Sequence, residues 1–553
     1  MTTQLGQLEL RIRQLADRYP FAVHWQIRDL SSGHVAGDAD RTVLGAFSTR
    51  KVCVLLACLA LVQSGRLSLD DTYTIDEQLK DGVQAGIMRN LSAGIELTLR
   101  DHLAQMMITS DNICTQLVFQ AIEDATGDAL QSVNDYCAQV GMYDTLHREI
   151  FPRSGQLPWS HSIESMTVTS AHDQALLLEK LAYGCTDERE AAKLGLNSEL
   201  CGFAVELMGN LFTPMLGARL RQGVMAEKNG RGIRGLSQVG LLLDVAGQPV
   251  ASVAVFAEHI PVELMDGTPG RARAIEFFAE CGQVIEHAFL STTPDELVAR
   301  QVVVPNYWEQ EFGELLYSVE GGRAVNDDIV FTFSGVGKLF FACTLAELEK
   351  NEPGLFDETI EITDEHRAQA NTGSLRHLTG ALQVSVDDAL RLMIASGDGS
   401  VTLALLGYLH NRGVDVLEQG RRFVAGLPNT TITGVEDRSS GEGFTGYTTV
   451  ADLLIVLRQL IDHNGRVKEW MSSVFEPAGL ACALPGYGPH TAEHWTISGW
   501  ARLDGIHAHE GRTSVLILRG PRGLVPLAAH APVGTMDVPA KFGSLGLSAL
   551  AHS

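Results

Sequence analysis

The segment that decides the fold is Gly45-Ala-Phe-Ser48-Thr-Arg-Lys51, which is followed directly by eleven apolar residues, Val52–Val62. This run is too short to cross a bilayer, which takes about 20 residues, and it ends at Ser64-Gly65, a typical helix stop. We therefore predict a buried helix over residues 48–63. Ser48 and Lys51 share one face of its first turn, where a partly buried lysine activates a serine hydroxyl as a nucleophile. The pair alone also fits a helix N-cap beside a solvated lysine.

The composition is that of an ordinary globular protein with more than one domain. The chain has 553 residues, of which 45% are hydrophobic and 20% charged, and this length predicts two or more domains. A formal charge of −25 argues against nucleic acid and anionic membrane surfaces as partners. The nine cysteines are scattered, with no C-x-x-C pair, so we predict no disulfide framework and interpret Cys53 and Cys58 as core residues.

The N-terminus carries no pattern typical of a targeting segment. Residues 1–11 lack a basic region followed by an apolar one, so no signal peptide is visible. No stretch is long and apolar enough to be a transmembrane helix. We therefore expect a cytoplasmic protein, or a periplasmic or secreted one if the natural chain is longer at this end. The sequence leaves the oligomeric state open.

The order of patterns in the first half predicts an α+β fold. A strand at residues 21–27 precedes several helical patterns, and two apolar segments, Leu236–Val245 and Val250–Ala257, are separated by a short turn. This pair reads as a hairpin, and Ala272–Phe289 follows it as a helix. Helices packed on an antiparallel sheet are the expected architecture.

The second half repeats the first. Ala57-Cys58 corresponds to Ala342-Cys343, and Met107–Ser110 corresponds to Met393–Ser396, at offsets of 285 and 286 residues. Solenoid repeats are much shorter than this, so the pattern indicates a duplicated domain.

Three short motifs stand in order in the first half: Ser48-x-x-Lys51, Ser110-Asp111-Asn112 and Lys228-Asn229-Gly230, separated by 62 and 118 residues. Here the sequence resembles the serine β-lactamase and penicillin-binding-protein superfamily, closest to class A β-lactamases, which carry S-x-x-K, S-D-N and K-T-G in this order. The resemblance covers residues 8–290. With the repeat, it implies two tandem β-lactamase-like domains, each an antiparallel sheet packed with helices.

Acyl transfer needs a deprotonated nucleophile and a site for the oxyanion. Ser48 is the candidate nucleophile and Lys51 its base. The tetrahedral oxyanion needs two preorganised donors. The resemblance assigns these to the backbone N–H groups of Ser48 and of Arg231, which we place at the start of the sheet's inner strand.

The resemblance also assigns the remaining polar residues. It implies that Ser110 carries a proton to the leaving nitrogen, that Asn112 holds Lys51 and a substrate amide, and that Lys228 attracts a substrate carboxylate. Asn229 and Gly230 would bind substrate. The family has a threonine where this chain has Asn229, which alters the reach of that hydrogen bond.

The glutamate that activates the deacylating water in class A enzymes has no in-register match. The corresponding stretch is Leu146-His-Arg148-Glu149-Ile-Phe-Pro152, where Glu149, about one residue out of register, is the candidate deacylation base. Arg148 and Glu164 would form an ion pair across this loop or remain two exposed charges. If Glu149 does not reach the site, the acyl-enzyme is resolved through another group or is long-lived.

The second half has lost the motif set. Ser334 and Lys338 are four residues apart, which turns Lys338 roughly 100° away from the Ser-x-x-Lys direction. Ser396-Gly397-Asp398 replaces Ser-Asp-Asn, and Ile497-Ser498-Gly499 replaces the third motif. We therefore predict a catalytic domain over residues 1–292 and a degenerate, non-catalytic domain over 300–553, packed against each other.

Two further patterns are interpreted as coincidences. Gly230–Gly235 fits G-x-G-x-x-G, but a dinucleotide site needs a helix after this motif, and a strand is expected here. His507 and His509 lack an evident third ligand. We predict no metal and no cofactor.

The sequence therefore predicts a serine acyl hydrolase that acts through a covalent acyl-enzyme on an amide, lactam or ester of small-molecule or peptide-like substrates. A penicillin-binding receptor that is acylated without turnover is the second hypothesis. A peptidase or acyltransferase on the same scaffold is the third.

Overall fold

The computed structural model describes most of the chain, which forms two compact units. The described residues are 4–83, 85–150, 163–265, 269–290, 314–333, 335–435, 441–463, 465–473, 479–484, 493–498, 511–520, 523–532, 535 and 538–552. Contacts within the chain define a first unit of Met1–Met88, Glu96–Leu264 and Pro269–Val303, and a second of Arg89–Ile95, Met265–Thr268 and Val304–Ser553. The limits 1–292 and 300–553 stay a prediction, because two short segments of the first range belong to the second unit.

The described residues of the first unit form ten α-helices and nine strands, the mixture that its sequence patterns predict. Its helices are α1 (Gln4–Ala16), α2 (Lys51–Gln63), α3 (Glu77–Lys80), α4 (Leu99–Ile108), α5 (Asn112–Thr126), α6 (Ala129–Gln139), α7 (Ala171–Gly184), α8 (Glu188–Lys193), α9 (Ser198–Gly209) and α10 (Gly270–Leu290). Its strands are β1 (Ala22–Asp29), β2 (Val35–Asp38), β3 (Leu44–Gly45), β4 (Thr72–Ile75), β5 (Ile95–Thr98), β6 (Val168–Thr169), β7 (Val224–Arg231), β8 (Leu236–Leu243) and β9 (Pro249–Glu258).

An antiparallel sheet of order β2-β1-β9-β8-β7 forms the frame of this unit, with β7 at one edge. One face carries a core of aliphatic and aromatic side chains from the sheet, α1 and α10, including Trp25, Val253 and Phe277. Each such side chain contributes about 1.5–3 kcal/mol by leaving water. Helix α7 packs on β9, where Ser252 Oγ donates a 2.9 Å hydrogen bond to the Ala175 carbonyl.

Helix α2 is buried on every side. Residues 51–59 of this helix are all buried, as expected for a helix that is apolar around its whole circumference. A 3₁₀ turn, Phe47–Arg50, precedes it. The predicted helix over 48–63 is thus correct, except that its first turn is 3₁₀ and places Ser48 before the α-helix begins.

Within its described residues, the second unit repeats most of this order of elements. Its helices are α11 (Gly337–Asn351), α12 (Asp364–Gln369), α13 (Val386–Ser396), α14 (Gly399–Asn411), α15 (Val416–Val424), α16 (Val450–His463), α17 (Arg466–Met471) and α18 (Val538–His552). Its strands are β10 (Leu316–Val319), β11 (Ala324–Val325), β12 (Phe331–Thr332), β13 (Thr359–Ile362), β14 (Leu382–Ser385), β15 (Thr431–Val435), β16 (Phe444–Thr448), β17 (His494–Ser498), β18 (Arg512–Gly520) and β19 (Gly523–Ala531). The main sheet runs β11-β10-β19-β18-β17, which repeats the first sheet strand for strand.

A buried aspartate at the start of a central helix marks equivalent positions in the two units. Asp111 caps α5 and its Oδ2 accepts a 2.9 Å hydrogen bond from Met88 N. Asp398 caps α14 in the same way and accepts 2.8 Å from Leu375 N. A Cβ on Gly86 or Gly373 would lie 2.0 or 2.2 Å from the respective carboxylate, so both aspartates need a glycine beside them. The predicted α+β fold of two tandem domains is confirmed.

These aspartates correct the alignment of the second motif. Aligning Asp398 with Asp111 places Gly397, and not Ser396, at the position of Ser110. Ser396 instead donates 2.9 Å to the Leu392 carbonyl of its own helix, as Thr109 donates 3.0 Å to that of Gln105. The alignment from sequence was wrong here because it matched the identical residues of Met-Ile-x-Ser, which are one residue out of register. It did not use the capping aspartates, which give the correct register.

Two other sequence patterns have clear outcomes. Residues 230–235 join β7 to the antiparallel β8, so the G-x-G-x-x-G pattern lies in a hairpin, as predicted, and does not open a helix. Within the described residues, no helix has both the length and the hydropathy needed to cross a membrane. His507 and His509 lie outside the described residues.

Candidate active site

The turn that carries Ser48 is fixed from both sides. Just before it, Leu44 and Gly45 pair with Thr169 and Val168, and Ala46 N donates 3.0 Å to the Thr167 carbonyl. Phe47 then adopts a left-handed φ of 46°. This backbone conformation is costly for a non-glycine residue, and it sharply reverses the chain immediately before the candidate nucleophile.

Glycines allow the edge strand β7 to approach this turn closely. A Cβ on Gly230 would lie 3.0 Å from Ser48 N, and one on Gly232 would lie 2.2 Å from the Phe47 ring. The backbone of β7 therefore runs beside the Ser48 amide, the predicted position for an oxyanion site. Arg231 is the last residue of this edge strand, which corrects its expected place at the start of an inner strand.

Lys51 is the centre of a hydrogen-bond network that joins the first two motifs. Its ammonium donates 2.7 Å to Asn112 Oδ1, 2.7 Å to the Ser110 carbonyl and 3.2 Å to Ser110 Oγ. The predicted contact between Asn112 and Lys51 is therefore present. Within the described part of the chain, the Ser48 hydroxyl makes no hydrogen bond to this ammonium; such catalytic bonds commonly tighten only when substrate binds.

Lys228 joins the third motif to the same network. This lysine is fully buried, and it donates 2.9 Å to Ser110 Oγ and 3.1 Å to Asn229 Oδ1. The Asn229 amide donates 3.0 and 2.8 Å to the carbonyl and hydroxyl oxygens of Thr213. The side-chain amide nitrogen and Oδ1 of Asn229 thus both make hydrogen bonds within the protein, and its role in substrate binding stays a prediction. Thr213 is a partner that the sequence did not reveal.

Ser110 is held in a strained conformation between the two lysines. Its φ is 57°, in the left-handed region that costs roughly 1–2 kcal/mol for a residue with a Cβ. The next residue, Asp111, fixes this turn by accepting hydrogen bonds from Ile113 N and Cys114 N. Strain of this kind is found where the surrounding structure holds a functional group in place.

Burial changes the protonation of Lys51. Loss of solvent, reinforced by the neighbouring charge on Arg50 and opposed by Asp111, lowers the pKa of Lys51 to about 7. A lysine with a pKa near the ambient pH is present in part as the free amine, the form that accepts a proton from a serine hydroxyl.

Arg50, which lies within the first motif, binds the loop that carries Glu149. Its guanidinium donates 2.9 Å to Glu149 Oε1, 2.7 Å to the Glu149 carbonyl and 2.9 Å to Thr167 Oγ1, and it also contacts the Ile150 carbonyl. Glu149 Oε2 is buried and has no hydrogen-bond partner in the part of the chain that the structure describes. Among the described residues the Glu149 carboxylate bonds to neither Ser48 nor Lys51, so its role as the deacylation base stays a prediction.

Arg148 stabilises the same loop, but not through the ion pair considered from the sequence. Its guanidinium donates 2.9 Å to the Ile163 carbonyl and 2.8 Å to the Met166 carbonyl. The acceptors are thus main-chain oxygens on either side of Glu164 in the sequence. The loop is therefore held by two arginines acting on backbone acceptors, a use of arginine that carries no short sequence signature.

A buried carboxyl group lies next to Lys228 in β7. Glu227 is 1% exposed, accepts a 3.1 Å hydrogen bond from Gly217 N and contacts the Gln238 amide. Burial raises the pKa of Glu227 to about 8, against the effect of these hydrogen bonds. Glu227 is thus protonated near neutral pH, and it stabilises the strand that carries the third motif.

The second unit keeps the frame of the site and a buried lysine, but it lacks the other polar groups of the first two motifs. The alignment that pairs Asp398 with Asp111 pairs Lys338 with Lys51 and sets glycines at the positions of Ser48, Ser110 and Asn112, namely Gly335, Gly397 and Gly399. Lys338 is buried, and burial lowers its pKa. Ile497 lies opposite Val515 as Lys228 lies opposite Val239. Ser334 lies outside the described residues, so its predicted direction relative to Lys338 stays a prediction.

Comparisons with known proteins give a family match and several similar solved structures. The profile of the Beta-lactamase enzyme family matches residues 7–288 and again residues 301–510. Similar solved structures include a β-lactamase from Sphaerobacter thermophilus DSM 20745 at 22% identity, over 51% of this chain and 97% of that chain, with a TM-score of 0.41. A structure of PBP-A has 20% identity, over 51% and 95% of the two chains, with a TM-score of 0.42. A comparison with curated proteins found no match. Because the family profile covers most of the chain, in two successive copies, the chain belongs to the β-lactamase enzyme family.

Proposed function

We propose that the first unit is a serine acyl hydrolase that forms a covalent acyl-enzyme on Ser48. The observation that carries this proposal is the continuous network from Asn112 through Lys51 and Ser110 to Lys228, with links of 2.7, 3.2 and 2.9 Å. One hydroxyl between two lysines can relay a proton towards a leaving nitrogen. The substrate class is an amide, lactam or ester.

The proposed acylation step uses the residues of this network together with Ser48. Lys51, as the free amine, takes the Ser48 proton while Oγ attacks the carbonyl carbon, and the oxyanion is stabilised by the amides of Ser48 and Arg231. Ser110 gives its proton to the leaving nitrogen and is reprotonated through Lys51 or Lys228. Lys228 also supplies positive charge for a substrate carboxylate.

A second candidate function is a receptor that is acylated but releases the acyl group slowly. The Arg50–Glu149 contact of 2.9 Å favours it, because it directs the carboxylate oxygen of the candidate base to a guanidinium. Water then lacks a proton acceptor of the class A type, and the acyl-enzyme persists.

Turnover of a chromogenic cephalosporin, combined with intact-mass analysis, distinguishes the two functions. A hydrolase releases product continuously, whereas a receptor gives one stoichiometric burst and a stable adduct. Ser48→Ala should abolish both the adduct and the turnover. Ser396→Ala is the matched control, because the hydroxyl of this serine in the second unit donates a hydrogen bond to a carbonyl oxygen of its own helix. If neither β-lactams, short acyl esters nor fluorophosphonates label Ser48, the proposal is wrong.

We further propose that the second unit is a catalytically silent copy. Glycine at the equivalents of Ser48, Ser110 and Asn112 supports this, since a glycine supplies no nucleophile, proton relay or amide. The measurement is a fluorophosphonate labelling of the Ser48→Ala chain, in which we expect no residue of the second unit to be modified. A labelled serine beyond residue 300 would contradict it.

A further inference from the structure

Three potential metal-ligand side chains meet behind the candidate active site of the first unit. They are Cys53 on α2, Cys137 on α6 and His147 on the loop that precedes Glu149, and their ligand atoms all lie within 4.8 Å of one another. The three residues are 0%, 1% and 2% exposed. They are far apart in sequence, which is why a search for closely spaced ligands predicted no metal.

Among the described residues, both ring nitrogens of His147 lack a hydrogen-bond partner, although the side chain is buried. A buried polar group without a partner costs about 1–3 kcal/mol. The imidazole is nevertheless held in place, because Asn134 on α6 binds its backbone at two points: Asn134 Nδ2 donates 2.9 Å to the His147 carbonyl, and His147 N donates 2.7 Å to Asn134 Oδ1. Helix α6 thus provides one thiol and also fixes the backbone of the imidazole.

The two sulfur atoms are also unusually close. Cys53 Sγ and Cys137 Sγ are 3.0 Å apart. Two thiolates on one tetrahedral ion lie about 3.8 Å apart for bonds of about 2.3 Å, so the side chains need to separate by less than about 1 Å. A thiol–thiol hydrogen bond or a disulfide would account for the sulfur contact, but either would leave both nitrogens of His147 without partners among the described residues. A shared ion accounts for both observations.

We propose that Cys53, Cys137 and His147 bind one thiophilic metal ion, Zn²⁺ or Cu⁺. Two thiolates and an imidazole form a soft ligand set, which both ions prefer. Zn²⁺ would make a neutral centre with two thiolates and would take a fourth ligand, whereas Cu⁺ is satisfied by three. Ion binding releases the two thiol protons, and the ion ties α2, α6 and the Glu149 loop together without touching the substrate.

The test is a metal titration of the full-length chain after treatment with a chelator and a reductant. Zn²⁺ and, under anaerobic conditions, Cu⁺ are each titrated against a chromogenic chelator, and Co²⁺ is added as a spectroscopic probe. We expect one ion per chain and a sulfur-to-cobalt charge-transfer band. The tighter of the two ions identifies the one that the site takes.

Variants then locate the site. Cys53→Ser and Cys137→Ser should each lower the intensity of the charge-transfer band at least about twofold, because one of two thiolates is lost. His147→Asn should weaken binding at least about 10-fold, which is the lower range even for loss of an outer-shell partner. Cys201→Ser, at another buried cysteine, is the matched control and should bind as the wild type does. If a variant does not fold, a chelator-reversible rise of the wild-type melting temperature with one equivalent of ion serves instead.

Three outcomes would overturn the proposal. They are the absence of any bound ion, a charge-transfer band of undiminished intensity in Cys137→Ser, and an intact mass that has lost two hydrogens through a Cys53–Cys137 disulfide in the isolated protein. All of these readouts are independent of acyl transfer. The metal proposal therefore stands or falls separately from the proposed function.

Discussion

Ser110 and Gly397 adopt nearly the same left-handed backbone conformation, with φ of 57° and 60°, each directly before the aspartate that caps a helix of its unit. The backbone at this point needs the left-handed region whichever residue is present. Glycine adopts it without cost, whereas serine does not. The unit with the motif network has the strained residue, and the unit without the network has the relaxed one.

Ser110→Gly should therefore remove activity without loss of stability. The substitution deletes the hydroxyl that accepts from Lys51 and Lys228, so the acylation rate should fall at least ~10²-fold. Relief of roughly 1–2 kcal/mol of strain offsets the lost hydrogen bonds, which are worth about 1 kcal/mol each. Single-turnover acylation and urea unfolding measure the two effects. Ser110→Ala is the control, because it loses the hydroxyl but keeps the strain. A glycine variant less stable than the alanine variant would contradict this account.

The acylation rate should rise with pH and level off above about 7. Burial lowers the pKa of Lys51 to that value, and only the free amine accepts the Ser48 proton, so protonation at lower pH removes the base. The measurement is the pH dependence of acylation in single-turnover experiments. Lys51→Ala should lower the plateau at least ~10²-fold and abolish this inflection. An unchanged inflection in the variant would show that another group titrates.

Arg50→Lys should destabilise the loop that carries Glu149. The guanidinium is 3% exposed and binds both the Glu149 carboxylate and Thr167 Oγ1, whereas a lysine ammonium does not reach this set of acceptors in one plane. Lysine keeps the charge, and loss of the charge-assisted hydrogen bond to Thr167 Oγ1 should cost about 1.5–3 kcal/mol. Urea unfolding gives the loss of stability, and deacylation kinetics report the loop. Arg13→Lys, at an exposed ion pair with Glu9, should change stability by less than about 0.5 kcal/mol.

Glu227→Gln should reduce the pH dependence of stability. The folded-state pKa of Glu227 is raised from 4.5 to about 8, so its contribution is fully present below the unfolded value and is lost as the pH rises through about 8. Glutamine keeps the shape and cannot ionise. Melting temperatures at about pH 5 and about pH 8.5 should differ less in the variant than in the wild type. Equal differences in both proteins would mean that Glu227 is ionised in the folded state at neutral pH.

The sequence predicted the fold class and indicated which motif residues meet in the network of the first unit, because periodic burial and short motifs are both local. The catalytic roles of these residues stay a prediction. It did not predict contacts that join distant segments. In the sequence, Arg50 is one of the two variable residues of Ser-x-x-Lys, and no pattern around it indicates that it binds Thr167. His147 and Cys137 belong to no motif. The misalignment at Ser396 has a different origin. The two units correspond at the residue with a left-handed φ directly before the capping aspartate. That aspartate therefore marks the equivalent position more reliably than the short run of identical residues does.

Helix α2 has a consequence for local opening of the site. The candidate nucleophile Ser48 lies in the 3₁₀ turn before this helix, and the candidate base Lys51 is its first residue. Residues 51–59 of the helix have no solvent-exposed face, so this helix does not separate from its neighbours without exposing core on every side. Its amide hydrogens should exchange with solvent only when the whole first unit unfolds. We therefore expect any motion that admits substrate or water to occur in the surrounding loops and not in α2.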